Sequence, residues 1–136
     1  KVLPEAFTCF TLNLDNLSEL TKRFGYTVGD GVLKDFAGLV QLMGDTEGMR
    51  GYNGVGRFVV FFEECSSKKA AAMIRILDNQ VEEYNSLNPE YPIRYTAAWA
   101  TTEETDTYEI RELLRLSQKK WKQMEKEKKD KTEEET

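Results

Sequence analysis

Gly51-Tyr52-Asn53-Gly54-Val55-Gly56-Arg57-Phe58 runs on into Val59-Val60-Phe61-Phe62 near the middle of the chain. Its apolar end, rich in β-branched and aromatic side chains, reads as a buried strand. The small residues ahead of it read as a tight turn, because Gly and Asn accept a positive φ at little cost. Residues 49–53 then form the partner strand, and the whole is a β-hairpin with two glycines at its tip. Such glycines answer either to turn sterics or to the close approach of backbone to a ligand phosphate. Taken alone, turn chemistry has the stronger claim.

Working outward, residues 6–14 (AFTCFTLNL) put Phe10, Leu12 and Leu14 on one face and Phe7, Cys9 and Thr11 on the other. Apolar residues on both faces predict an interior strand. It ends in Asn13-Leu14-Asp15-Asn16, where Asp15 or Asn16 serves either the chemistry of a strand end or the cap of the next helix; capping is the leading role for Asn16. Leu17, Leu20 and Phe24 recur at helical spacing, and Gly25 stops that helix. Residues 25–31 read as a linker. A second helix follows, with Asp30 at its start satisfying free N–H groups and Val32, Leu33, Phe36, Ala37, Leu39, Val40 and Met43 as its apolar face.

Beyond the hairpin, Ser66 or Ser67 caps a third helix whose stripe is Ala70, Met73, Ile74, Leu77, Val81 and Tyr84. Asn88-Pro89 ends it. Ile93, Tyr95, Ala97 and Trp99 alternate with smaller residues as a strand. Residues 101–106 form a polar loop, and Ile110, Leu113, Leu114, Trp121 and Met124 mark a fourth helix. From Lys126 on no apolar residue remains, so 126–136 is expected to fray into a charged, disordered tail. The order βααββαβα predicts an α+β domain over 1–125, palm-like or ferredoxin-like, with a mostly antiparallel central sheet flanked by helices. In such a topology the end of the first strand and the hairpin tip are neighbours, so Asn13, Asp15 and residues 54–57 converge.

Composition narrows function by exclusion. The 136 residues suffice for one core without staples. With 24 acidic against 19 basic residues and a net charge of −5, a general nucleic-acid partner is not expected. The chain has no histidine, which removes His-based acid/base and metal chemistry. Cys9 and Cys65 lie in or beside apolar runs and read as core thiols. No run approaches the ~18 apolar residues of a membrane span, and no signal peptide is visible. The expectation is a cytoplasmic domain cut from a larger protein, itself cytoplasmic or membrane-bound.

The run LNLDNLSELTKRFGYTVGDGVLKDFAGLV resembles the opening of a GGDEF (diguanylate cyclase) domain. Gly29-Asp30-x-x-Leu33 matches that family's Gly-Asp-x-x-Leu outright, and Gly25-Tyr26 sits where Gly-His is expected. The signature hairpin falls on Gly54-Val55-Gly56-Arg57-Phe58, and the likeness extends from Phe7 to about Met124. The family joins two GTP molecules, one per subunit of a dimer, into cyclic di-GMP with Mg²⁺ held by carboxylates. The resemblance places its first-strand metal ligand on Asn13 and its two signature acids on Gly56 and Arg57. Its second signature glycine falls on Val55, its phosphate-contacting Lys on Ser18 and its base-contacting Asn on Thr21. The other base contact, Asp30, is kept, as is Asp15. The C-terminal Ala-Asp-x-Ala-Leu-Tyr-x-Ala-Lys survives only as an aromatic, Trp121, and the inhibitory Arg-x-x-Asp falls on Asp45 and Gly48.

The resemblance therefore implies a degenerate, non-catalytic module of a larger bacterial signalling protein. Its candidate nucleotide contacts are Asn13, Asp15, Thr21, Asp30, Gly54, Gly56 and Arg57, with no catalytic or metal residues. GTP or another guanine nucleotide, flanking sensor or output domains and a second copy in a homodimer are the implied partners. No cofactor is expected, Mg²⁺ entering only with GTP if the domain is active. Arg57 offers either a guanidinium for a phosphate or an ordinary solvated strand end, and the solvated end is the leading reading. Two alternatives stand beside this one. The first is a divergent cyclase using Asp15 with Glu63 or Glu64; the second is a plain α+β interaction domain with no nucleotide role.

Overall fold

A computed structural model describes residues 6–43, 49–52, 56–105 and 109–135, with no side-chain detail for 49–52 and 132–135. The expected element order is the one observed. Strand β1 (Thr8–Leu14) leads to helices α1 (Leu17–Phe24) and α2 (Tyr26–Gln41), then β2 (Met49–Tyr52) and β3 (Arg57–Phe62). Helix α3 (Ser67–Leu87), β4 (Tyr95–Thr101), a single 3-10 turn over Thr102–Glu104 and α4 (Ile110–Glu135) complete the chain. The four strands run in the order β2-β3-β1-β4, each pair antiparallel. This is the palm-like α+β sheet that the sequence predicts.

Strand β1 is interior, and its alternation sorts the helices. Phe10, Leu12 and Leu14 point to one face, where they pack with Leu20 of α1, Val32, Phe36 and Val40 of α2, and Ala70, Met73, Leu77 and Val81 of α3. Cys9 points to the other, against Leu113 of α4 with Leu114 at its side. On that face the Thr11 hydroxyl meets Ser117 Oγ at 2.8 Å, and Ser117 donates in turn to Leu114 O at 3.0 Å, so two buried hydroxyls are satisfied. Both cysteines are fully buried, and burial pushes the Cys9 thiol up to about 11. They are core thiols, as expected.

Several boundaries differ from expectation. Helix α2 begins at Tyr26, four residues before Asp30, because the break between α1 and α2 needs only Gly25, whose φ of +94° no other residue adopts cheaply. Asp30 is therefore no N-cap. It lies one turn inside the helix and pairs with Lys34 at 3.0 Å. Asn16 precedes α1 without capping it. Its amide donates to Pro92 O at 2.8 Å and its Oδ1 accepts from Arg94 N at 3.1 Å, fastening the β1–α1 junction to the chain entering β4. Strand β4 starts at Tyr95 rather than Ile93, since the backbone groups of Ile93 are held by Asn85 and those of Arg94 by Asn16 and Asp15. Ser66 does cap α3, accepting from Lys69 N at 3.1 Å. The tail from Lys126, expected to fray, continues as helix through Glu135. The hairpin tip with Gly54 lies outside the described residues.

Gly29 sets how closely α1 and α2 approach. A Cβ there would stand 2.3 Å from Thr21 Oγ1, but 3.4 Å from Thr21 Cβ and 3.5 Å from Leu17 Cδ1. The obstacle is one hydroxyl. Gly29→Ala alone is expected to cost about 1 kcal/mol net, overpacking outweighing the gain in helix propensity. In a Thr21→Ala background the same substitution should raise stability by up to about 1 kcal/mol, since only the propensity gain remains. Chemical denaturation of the four proteins checks this reversal of sign.

Candidate functional site

The sequence-derived candidates fall into two groups on opposite faces of the sheet. On the α2 face, Thr21 from α1 and Asp30 from α2 line one cleft of about 620 Å³ together with Leu17, Tyr26, Leu33, Lys34, Ala37 and Phe58. The walls are aliphatic and aromatic, with the hydroxyls of Thr21 and Tyr26, one carboxylate and one ammonium set among them. A flat, partly apolar ligand that donates hydrogen bonds at one edge suits such a lining. Gly56 lies beside it: its carbonyl accepts from Leu14 N at 2.8 Å, its φ is +85°, and a Cβ there would sit 3.3 Å from Leu17 Cδ2.

The second group gathers at the end of β1, on the α4 face. Asn13 is registered against Arg57 of β3 on one side and Thr96 of β4 on the other. Asn13 Nδ2 donates to Asp15 Oδ1 at 2.9 Å, and the buried Thr96 hydroxyl donates to Asp15 Oδ2 at 2.5 Å. Lys128, from the last third of α4, donates to Thr96 Oγ1 at 2.7 Å and to Tyr95 O at 2.9 Å, with its ammonium 3.9 Å from Asp15 Oδ2. Asp15, itself exposed, is thus flanked by an amide, a hydroxyl and a lysine.

Arg57 is not the ordinary solvated strand end that was the leading reading of it. It is half-buried, with its guanidinium carbon 4.2 Å from the ring centroid of Trp121, a cation–π contact that ties the hairpin to α4. Because Phe58 turns toward Phe36 and the cleft, Arg57 turns away from them. Its Nε is buried and finds no acceptor, as does Trp121 Nε1. The convergence inferred from topology holds for Asn13, Asp15 and Arg57 on the α4 face, with Gly56 bonded to Leu14 at the same strand end but beside the separate cleft of Thr21 and Asp30.

An amide, a guanidinium and one already-engaged carboxylate do not fit a divalent cation, which takes several negatively charged or neutral oxygens. Among the described residues no three Asp, Glu, Cys or His side chains come together as a metal site. The acids Glu63 and Glu64 lie just beyond the far end of β3, past Phe62, whereas Asn13 pairs with its beginning at Arg57. Sequence reasoning missed Tyr26, Lys34, Thr96 and Lys128. Lys34 follows Asp30 by one helical turn, a usable signal, whereas Lys128 sits in a run of mixed charge that reads as solvated.

Over residues 3–131 the chain matches the family described as diguanylate cyclase, GGDEF domain. Its backbone superposes on the active GGEEF domain of a diguanylate cyclase from Vibrio cholerae with a TM-score of 0.79 at 19% identity, covering 90% of this chain and 78% of that one. An EAL/GGDEF domain protein from M. capsulatus gives 0.72 at 14% identity, over 90% and 80% of the two chains. The GGDEF domain of DgcB from Caulobacter crescentus, solved in complex with c-di-GMP, gives 0.60 at 14% identity over 71% and 59%. No curated protein sequence matches the chain. Among the described residues no helix is long and apolar enough to cross a membrane.

The Arg57–Trp121 contact should be measurable as a coupling. Arg57→Ala is expected to cost about 1 kcal/mol of folding stability, and a cycle with Trp121→Leu to return about 0.5–2 kcal/mol of interaction. A coupling indistinguishable from zero would mean that the two side chains merely lie side by side.

Proposed function

The chain belongs to the GGDEF diguanylate cyclase domain family, and we propose that it is a non-catalytic member, a regulatory module of a larger bacterial signalling protein that retains weak guanine-nucleotide binding. The observation that supports this reading best is the corner at the end of β1. There Asn13 faces Arg57, and the one carboxylate, Asp15, is held by Asn13 Nδ2, the Thr96 hydroxyl and Lys128. Joining two GTP molecules requires a hydroxyl nucleophile to approach a phosphate whose charge is neutralised, which the family achieves with a carboxylate-held metal. A guanidinium offers no ligand to that ion, and one neutral amide beside one engaged carboxylate supplies too few oxygens to hold it. Mg²⁺ is accordingly not a cofactor of this domain in the proposal.

Nucleotide binding rests on the cleft. An ionised carboxylate only accepts hydrogen bonds, so Asp30 selects for a base edge that presents adjacent N–H donors, as guanine does. Thr21 adds a polar atom to the same cleft, and Leu17, Leu33 and Phe58 supply apolar surface for a ring. The proposed output passes through flanking sensor or output domains and through pairing with a second copy. The domain acts in the cytoplasm in this account.

Calorimetric titration with GTP, with and without Mg²⁺, is the test. Weak binding of equal strength in both buffers is expected, with Asp30→Ala lowering affinity about tenfold, or ~1.4 kcal/mol. Incubation with GTP and Mg²⁺ or Mn²⁺ should yield no cyclic di-GMP. Appearance of that product would replace the proposal with a divergent cyclase. Absence of heat with both GTP and cyclic di-GMP would leave only the scaffold, used for protein contacts.

A further inference from the structure

We propose that the ammonium of Lys128 is the resident cation of the corner where β1, β4 and α4 meet, and that this contact fastens the last turns of α4 to the domain. Among the described residues three oxygens stand around the ammonium: Tyr95 O at 2.9 Å, Thr96 Oγ1 at 2.7 Å and Asp15 Oδ2 at 3.9 Å. A lysine ammonium is a compact point charge with three donors and no acceptor, so a cluster of oxygens of this kind suits it. The shell is built rather than incidental. Thr96 is 1% exposed, and its hydroxyl hydrogen is committed to Asp15 Oδ2, which leaves its lone pairs to face Lys128.

The Tyr95 carbonyl is available for a physical reason. Strand β4 is the edge of the sheet, so half of its backbone groups have no strand to bond. Two lysines of α4 serve that edge: Lys120 donates to Trp99 O at 3.2 Å, and Lys128 to Tyr95 O, four residues back along the strand. Lys120 is balanced by Glu104 and Lys128 by Asp15. Trp121 is the last buried residue of α4 among those whose side chains are described, and the ion pair of Glu125 with Lys129 and the hydrogen bond from Gln123 to Glu127 stay within the helix. Among the described side chains beyond Met124, only Lys128 has a recorded polar contact to another element. The same residue therefore satisfies a carboxylate at the end of β1, covers an edge carbonyl and anchors the helix end. None of this depends on whether a nucleotide enters the cleft.

Amide hydrogen exchange on the intact 136-residue chain tests the proposal, with Lys128→Met, Asp15→Asn, the double variant and Lys131→Met, an exposed lysine of the same helix, as the set. Lys128→Met and Asp15→Asn should each speed exchange over 125–131 about 2- to 5-fold, the reach of a partly exposed ion pair with two further hydrogen bonds, and leave 113–121 unchanged. The double variant should be no faster than the faster single one, and Lys131→Met should match the parent. Millimolar Mg²⁺ should leave the Asp15 resonances of the parent in place. Unchanged exchange in Lys128→Met, additive effects in the double variant, or Mg²⁺ shifting Asp15 in the parent would each overturn it. Because no arm uses a nucleotide, these outcomes are independent of the titration with GTP.

Discussion

Everything at both sites hangs from one strand that is covered on both faces and bonded along both edges. Strand β1 is registered with β3 from Thr8 to Asn13 and with β4 from Thr8 to Leu14, and six of its seven residues are buried. Such a strand has no freedom to slip, because a shift of one residue would exchange Phe10, Leu12 and Leu14 with Cys9, Thr11 and Asn13. That rigidity fixes where its last residues stand. Asn13 emerges on the α4 face, Leu14 buries on the α2 face, and Asp15 turns into the junction with its own N–H bonded to Arg94 O at 2.8 Å.

The alternation of β3 then divides the candidate residues between two compartments. Phe58 is edge-on to Phe36 at 5.7 Å between ring centroids and lines the cleft; Arg57, one residue earlier, covers Trp121. A ring-sized ligand in the cleft meets Thr21, Asp30 and Lys34, while the charges of the other compartment are largely satisfied from within. Asp15 has Lys128, and Arg57 has a π-face in place of a carboxylate. On the proposed reading, the half of the ancestral site that recognises a base keeps its chemistry, and the half that handles phosphate and metal has turned inward.

Most of the fold was legible because its signals are local and periodic. The two-sided pattern of β1, the stripe of α3 and the apolar run of β3 each follow from a period that sequence displays directly. The boundaries failed where a side chain was claimed by a distant backbone. Asn16 looks like a cap, yet its amide is drawn to Pro92 and Arg94, some 76 and 78 residues away. The glycines of 25–31 look like a linker, but only Gly25 makes the break, and Gly29 is there to admit Thr21. Thr21 and Asp30 were found through resemblance and line one cleft. Trp121, by contrast, reads as a plain core residue, and nothing near it in sequence announces Arg57. Lys128 was hidden by its composition: a lysine–glutamate run codes equally for a solvated helix and for a frayed end, and the choice is made by contacts across the fold.

On the proposed reading, the rewriting of the corner is also hard to undo, which bears on how the domain would have come to rest in this state. An acid at position 56 would meet a φ of +85° and stand against Leu17 and Leu14, so it would strain the backbone before it reached an ion. An acid at 57 would lose the cation–π stacking on Trp121 and set a negative charge against the negative face of that ring. An acid at 13 would replace the amide that donates to Asp15 at 2.9 Å, setting two carboxylates at hydrogen-bond distance. Like charges that close cannot both stay ionised without a strong cation between them. Each reversal is thus opposed by a different interaction of turn geometry, packing or charge, and all three would have to be changed together.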